Sequence, residues 1–189
     1  DTLNKRCQFL KTQIQDLLTA KDNLQQIIEQ INLSMTKQFK EAFSGIENYF
    51  NEIFKHLFGG GKARLILTDQ ENILSSGVEI IVQAPGKKNQ NMTLLSGGER
   101  TLTVIALLFA FLQYRPAPFS VLDEIDAPLD EANIKRFSIF LKDYAQKTQF
   151  IIVTHRKGTM EAADVMYGIT MADAGISKII SVKMTVAEE

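Results

Sequence analysis

Through its first 44 residues the sequence contains no Gly or Pro. Its apolar residues recur at alternating steps of three and four: Leu3, Cys7, Leu10, Ile14, Leu17, Leu24, Ile28, Ile31 and Met35. Only Lys21 interrupts the seam. A repeat averaging 3.5 residues lines these side chains along one stripe of a helix, the pattern of a coiled coil. The stripe then widens and turns aromatic at Phe39, Phe43, Ile46, Phe50, Ile53, Phe54 and Leu57, which suits docking on a globular body. Read as one helix, residues 1–58 reach about 80 Å at 1.5 Å per residue. That exceeds what the remaining residues can bury, so the N-terminal half is expected to project and to need a partner strand from elsewhere. A helical hairpin folding back on itself is the alternative, and the missing breakers count against it.

The whole chain has 189 residues, 45% apolar and 23% charged, a composition that excludes disordered and collagen-like classes. Twenty-one Lys and Arg face 22 Asp and Glu, a net charge of -1. No global field draws in nucleic acid or an anionic membrane, so any DNA contact must come from a local patch. A single cysteine, Cys7, cannot form an internal disulfide, and a reducing cytoplasm is expected. No apolar run is long enough to cross a bilayer, and no signal peptide opens the chain. Asp1 rather than Met stands first, inside a helical pattern, and the chain is expected to be cut from something longer.

Gly59-Gly60-Gly61 is expected to end the long helix. With Lys62 it resembles a phosphate loop, but Ala63 stands where the hydroxyl residue belongs and the next residues alternate like a strand. Strands are expected near 63–68 and 77–83, and a loop over 85–91. A helix apolar nearly all round, and so central, is expected over 97–113. Phe119–Asp123 and Phe150–Thr154 read as buried strands, linked by an amphipathic helix from Glu131 to Gln146. Strand, helix and strand with short links make a βαβ unit with parallel strands. A short helix near 158–164 and strands near 165–171 and 178–184 complete the reading. The fold class is α/β, with residues 1–58 the coiled-coil helix and residues 59–189 the globular lobe.

In open parallel sheets ligands sit beyond the carboxyl ends of the strands. Asp123 and Glu124 end one buried strand and His155 follows the other, about 5–10 Å away if the strands are near neighbours. An acid pair and a histidine at one edge suggest Mg²⁺ and a water-activating carboxylate. Asp123 would hold the ion, through water, and Glu124 would accept a hydrogen bond from the attacking water. A polar strand end beside a turn is the plain alternative. Leu95-Ser96-Gly97-Gly98-Glu99 forms a second constellation. Ser96 and Glu99 make a capping box, which leaves unexplained two glycines in a first helical turn, each costing up to about 1 kcal/mol relative to alanine. Glycines there let a large anion approach the helix amides. His56 reads as a helix-end residue. Lys62, Arg64, Lys87 and Lys88 could meet DNA backbone, although scattered lysines are ordinarily solvated surface.

The order LSGGE, FSVLDE, DAPLD and VTH, with its spacing, resembles the ABC-type ATPases. The coiled-coil entry with LFGGGKARLILTD, LLSGGERTLTVIALLFA, LDEIDAPLDEANIKRF and TQFIIVTHRKGTMEAADVMYGITM is similar to the C-terminal head half of a bacterial or archaeal SMC protein, over essentially the whole chain. The resemblance implies a signature motif at Leu95, Ser96, Gly97, Gly98 and Glu99 that touches the γ-phosphate of ATP held by a second head. It implies a Walker B aspartate at Asp123, a catalytic base at Glu124, a D-loop from Asp126 to Asp130 and a switch histidine at His155. Pro128 departs from the family's usual Ala and leaves Asp130 in register. No Walker A lysine loop occurs in the 189 residues, and the resemblance implies that the N-terminal half of the head supplies it. The implied cofactors are ATP and Mg²⁺. The implied partners are that half, a second SMC head, the C-terminal winged-helix region of a kleisin, for which the surface near 165–184 is a candidate, and DNA at the level of the complex, with no membrane. Chromosome condensation and segregation at the nucleoid would follow. A related DNA-repair ATPase shares the motifs, whereas a transporter domain is disfavoured by the coiled-coil entry and a purely structural module by the signature helix.

Overall fold

A computed structural model describes residues 2–146, 148–173 and 175–183. Among these the chain divides into two compact units. One holds residues up to Ser44 with Asp69–Gly77, the other Gly45–Thr68 with the residues from Val78 onward.

The first unit carries most of the long helix α1, Thr2–Phe58. Its seam residues Leu3, Leu10, Ile14, Leu17, Leu24, Ile28, Ile31 and Met35 are all exposed, so the coiled-coil stripe is unpaired among the described residues. Phe39 and Phe43, one turn apart, stack with ring centres 5.9 Å apart. In the 69–77 segment, Asp69 accepts hydrogen bonds from the Glu71 and Asn72 amides at 2.9 and 3.0 Å and turns the chain.

The second unit begins with residues 45–58 of α1, whose widened stripe (Ile46, Phe50, Ile53, Phe54, Leu57 and Phe58) is buried. Gly45 lets the helix approach Tyr114, since a Cβ there would lie 2.7 Å from the ring. The glycine run ends the helix as expected: all three residues have positive φ, and the Gly60 amide caps the Lys55 carbonyl at 2.8 Å. Gly61 has a further reason, because an added Cβ would strike the Gln83 carbonyl oxygen at 2.2 Å. Gly61 thus lets a neighbouring strand pass close to the backbone.

Strands β1 (Lys62–Leu67) and β2 (Val78–Gln83) pair antiparallel, and a two-residue β3 (Gln90–Asn91) joins β2 where a plain loop was expected. Helix α2 (Gly97–Tyr114) follows. It is buried at Leu102, Ile105, Ala106, Phe109 and Ala110, but Val104 and Phe111 face solvent, so it is covered on one side only. Strands β4 (Phe119–Asp123) and β5 (Gln149–Val153) are parallel, joined through α3 (Glu131–Tyr144), which confirms the βαβ unit. Phe109 sits at its centre, packing against Phe137, Phe140, Tyr144 and Phe150 with centroids 5.0–6.4 Å apart. His56 meets Phe140 edge-on at the end of α1.

The two strands are not the buried strands their sequences suggest. Phe119, Val121, Ile151 and Val153 share one face and are 50–58% exposed, because the described helices cover only the opposite face. A short α4 (Lys157–Glu161) packs on α3. There Gly158 leaves no room for a Cβ against Ile134, and its carbonyl accepts from the Ser138 hydroxyl at 2.9 Å. The hairpin β6 (Val165–Asp173) and β7 (Ile176–Lys183) follows with Tyr167, Ile169, Met171 and Ile179 exposed; position 184 of the expected last strand lies outside the described residues.

The start of α2 has its own ion pair. Glu99 reaches back to accept from the Ser96 amide at 3.3 Å and the Ser96 hydroxyl at 2.9 Å, and pairs with the Lys87 ammonium at 2.7 Å. The Lys87 contact, more than Ser96, holds the Glu99 carboxyl below its ordinary value. A depressed folded-state value contributes stability that is complete above the unfolded value, 4.5, and is lost as pH falls through the folded one. The melting temperature of the wild type should therefore exceed that of Glu99→Gln at neutral pH, with the gap closing as pH drops below about 4.5. A gap that stays constant from pH 7 to 3 would show that the carboxylate's charge contributes nothing here.

Candidate functional site

Five residues of strand register bring the first group together. Phe119 pairs with Gln149 and the ladder runs to Asp123 opposite Val153, so both strands end at one edge. The Glu124 amide extends the ladder by one bond, donating to the Val153 carbonyl at 2.9 Å. Glu124 then turns sharply, with φ at +47°, a left-handed conformation that costs a residue with a Cβ on the order of 1–3 kcal/mol. His155 leaves the neighbouring strand two residues past Val153. Its Nδ1 lies 3.9 Å from Glu124 Oε1, beyond hydrogen-bond range, and both side chains are 61% exposed. A carboxylate and an imidazole thus face one another across an open sheet edge, with the Asp123 carboxylate exposed beside them. The carboxylate can accept a hydrogen bond from a water at this edge, and the imidazole can donate to an acceptor there.

The second group lies at the start of α2. Ser96, Gly98 and Glu99 line a cleft of about 590 Å³ with Asp130, Asn133, Arg136, Lys87, Pro85 and Phe58. A Cβ added at Gly97 would meet nothing within 4 Å, and one at Gly98 would make only ordinary contacts of 3.7–3.9 Å with Asn133, Asp130 and Pro128. The fold therefore does not require either glycine. Both leave open a backbone surface that side chains would occupy, at the positive end of the helix dipole, where an anion fits. The Ser96 hydroxyl gives its proton to Glu99, and the capping box occupies the Ser96 and Glu99 amides, so the amides of Gly97 and Gly98 are the donors left for an anion.

The remaining expected site residues divide by burial. Leu95 is buried, and its carbonyl, with that of Thr93, accepts from the Arg100 guanidinium at 3.3 and 2.7 Å, which pins the approach to the helix. Asp130 is the N-cap of α3. Its Oδ1 accepts from the Asn133 amide at 2.8 Å and its Oδ2 from the Asn133 side chain at 3.2 Å. Asp126 is fully buried, facing Thr154 and Thr159 and away from the cleft. Arg136 and Asn133 were not singled out in the sequence. Asn133 lies three residues and Arg136 six residues after Asp130, about one and two helical turns, a spacing that the N-cap at Asp130 makes readable. Of the four cations considered for DNA, Lys87 is committed to Glu99, while Lys62, Arg64 and Lys88 are exposed.

Among the described residues no three His, Cys, Asp or Glu side chains gather to hold a metal. Asp123 alone fits Mg²⁺, an ion that keeps most of its waters and takes one or two carboxylates plus substrate phosphates. No helix is long and apolar enough to cross a membrane among these residues.

The family described as RecF/RecN/SMC N terminal domain matches residues 4–178. The chromosome partition protein Smc of Bacillus subtilis (strain 168) is 56% identical over 189 residues, all of this chain and 16% of that protein. The chain thus spans about one sixth of the length of that curated relative. A structure solved in work on ATP-driven dimerization and DNA-stimulated activation of SMC ATPases superimposes with a TM-score of 0.72 at 41% identity, over 78% of this chain and 89% of the other. The Smc head domain of Pyrococcus furiosus, with an extended coiled coil and bound to the C-terminal domain of ScpA, gives 0.77 at 38% identity, over 95% of this chain and 45% of that one. The family's description names the N-terminal domain and overturns the expectation of a C-terminal head half. That expectation had rested on the resemblance of the coiled-coil entry and the LSGGE, LDE, DAPLD and VTH stretches to a C-terminal head half. What stands is the coarser statement, a mixed α/β piece of an SMC head of the ABC type. On the match across residues 4–178, the chain belongs to the RecF/RecN/SMC N terminal domain family.

Proposed function

We propose that this chain forms part of the ATPase head of an SMC-type protein that acts in chromosome partition, and that the β4–β5 edge and the glycine-opened start of α2 are two faces of its ATP chemistry. The observation that carries this reading is the parallel register that sets the Glu124 carboxylate 3.9 Å from His155, with Asp123 on the same edge. Asp123 would sit in the hydration shell of Mg²⁺, and the bound Mg²⁺–ATP supplies the phosphoryl group that water attacks. Glu124 accepts a hydrogen bond from that water and takes its proton. His155 donates toward the γ-phosphate oxygens. The amides after Ser96 and the opening at Gly97 and Gly98 receive the γ-phosphate of a nucleotide held by a second head, and Asp130, at the same cleft, lies where the two heads meet.

The half-exposed face of Phe119, Val121, Ile151 and Val153 supports a head completed by another segment, since parallel strands are ordinarily covered on both faces. That segment brings the Walker A lysine loop. The open seam of α1 takes an antiparallel coiled-coil strand. A similar Smc head was solved bound to the C-terminal domain of ScpA, and on that basis a kleisin-type winged helix is the proposed partner, with the exposed β6–β7 hairpin a candidate surface. DNA contact belongs to the assembled complex, at the nucleoid in the cytoplasm.

Three outcomes test the reading. Calorimetric titration of ATP into the isolated chain should give no micromolar binding, and co-purification with a segment carrying the Walker A loop should restore it; tight binding by the chain alone sinks the shared-site proposal. In the completed head, Glu124→Gln should leave ATP bound and slow hydrolysis about 10²- to 10⁴-fold, with heads accumulating as dimers in size-exclusion chromatography. Wild-type turnover in that variant removes Glu124 as the base. Ser96→Arg should keep nucleotide on each head while abolishing ATP-dependent dimerisation, and dimers at the wild-type level would refute the role given to the start of α2.

A further inference from the structure

Asp126 is the one carboxylate of the second unit that is completely buried among the described residues, and nothing in the reaction outlined above uses it. Its Oδ2 accepts two hydroxyl protons, from Thr154 at 2.7 Å and from Thr159 at 2.5 Å. Its Oδ1 is buried without a hydrogen-bond partner among the described residues. Removing a carboxylate from water is costly, and two hydroxyls on one oxygen offset that cost only in part. Leucine or valine would serve packing better, so packing does not explain the acid.

What the contacts join is informative. Asp126 lies two residues after the strained Glu124, in a turn closed by the Ala127 amide on the Glu124 carbonyl at 3.1 Å. Thr154 immediately precedes His155. Its hydroxyl oxygen also accepts from the Arg156 amide at 2.9 Å, which wraps the backbone around His155. Thr159, in α4, holds the same carboxylate from the far side of that loop. Arg156 completes the connection by donating to the Ala127 carbonyl. Two loops that share no strand pairing past Val153 are thus tied through one buried carboxylate oxygen and the Arg156 guanidinium. Glu124 and His155 do not hydrogen-bond each other and are largely solvent-exposed, so their own side chains do not fix their separation.

We infer that Asp126 is a positioning residue: its carboxylate clasps Thr154 and Thr159 and thereby holds the Glu124 turn and the His155 loop at the spacing that the phosphate chemistry requires. The inference rests on the ATPase reading given above. Because the group touches neither substrate nor metal, its loss acts on how often Glu124 and His155 are aligned and not on nucleotide binding. Misplacement by about 1 Å costs on the order of 10²-fold in rate.

The test uses the full-length protein. Asp126→Asn and Thr159→Val should lower kcat about 10- to 100-fold, with KM for ATP unchanged within about twofold, and Thr159→Ser should restore most of the rate. In a His155→Ala background, Asp126→Asn should lower kcat little further, because both changes act on one loop. Amide hydrogen exchange at Arg156, read by mass spectrometry, reports the clasp independently of turnover and should speed up about tenfold in Asp126→Asn. Unchanged kcat, or a loss in the His155→Ala background equal to that in the wild type, would overturn the positioning role. Unchanged exchange would overturn the clasp. Full-length protein that never hydrolyses ATP, yet shows the faster exchange on substitution, sinks the ATPase reading and the positioning role with it, and leaves Asp126 a purely structural tie.

Discussion

The parallel pairing of β4 with β5 decides where the chemistry of this chain can be. Five consecutive residue pairs, from Phe119 and Gln149 to Asp123 and Val153, fix which side chains reach the edge together. A slip of one residue would turn every side chain of one strand to the opposite face and carry Asp123 away from the edge position of Val153. The register is held from below by Phe150 on Phe109, and by Phe109 on the aromatic face of α3. Since α3 is also the crossover between the strands, a single aromatic cluster sets both the height of the strands and the path of the connection. The acid pair and the histidine are consequences of that packing, although none of them lies within it.

Beyond the strand ends, two acids from one short loop do opposite work. Asp130 is exposed and satisfied locally, with both carboxylate oxygens on Asn133, so it starts α3 and shapes the cleft at the head of α2. Asp126, four residues earlier, is buried, and its Oδ2 accepts only from distant positions, 28 and 33 residues along the chain. The first contact is of the kind any N-cap makes and is worth about 1 kcal/mol to its helix. The second survives only if the loops on either side already meet. The left-handed backbone of Glu124 lies at the head of this same loop. Its strain is sustained by neighbours that leave it no alternative: the Val153 carbonyl on one side and the Ala127 turn on the other.

This division explains what was legible in the sequence. Local periodicity and local chemistry carried through: the helix over 2–58, the glycine stop with no phosphate loop, the α2 start at Ser96, and the βαβ unit over 119–153. The burial of β4 and β5 did not. A run such as Phe119-Ser120-Val121-Leu122 reports that both faces are meant to be covered, not that this chain covers them. The two-residue β3 was missed because two residues carry no period. For the candidate site, Asp123, Glu124 and His155 were legible as strand ends. The commitment of Lys87 to Glu99 across 12 residues, and the pairing of Asp126 with Thr154 and Thr159, were not. No spacing rule links residues that far apart; Lys87 meets Glu99 across the connection into α2, and Asp126 meets Thr154 and Thr159 because α3 returns the chain to the strands. The position of the chain within a longer protein was equally out of reach: the motif stretches resembled a C-terminal head half, whereas the matching family is described as an N-terminal domain.

The exposed apolar residues and the unforced glycines then make one argument. On β4 and β5 four large side chains stay half in water, and on α1 the seam from Leu3 to Met35 stays open. At Gly97 a Cβ would meet nothing, so the chain forgoes helix stability there with no packing return. Each feature by itself is a small loss for a folded body, and natural sequences carry such losses at places that work. These losses are not scattered. Those on β4 and β5 flank the edge that holds Asp123, Glu124 and His155, and the glycines flank the cleft that holds Asp130. On the proposed reading the same surfaces are completed by a second segment, a second head and a nucleotide. A body that binds its phosphates only when several pieces meet has reason to leave its own contacts unfinished where they meet, because contacts already satisfied within the chain would compete with assembly.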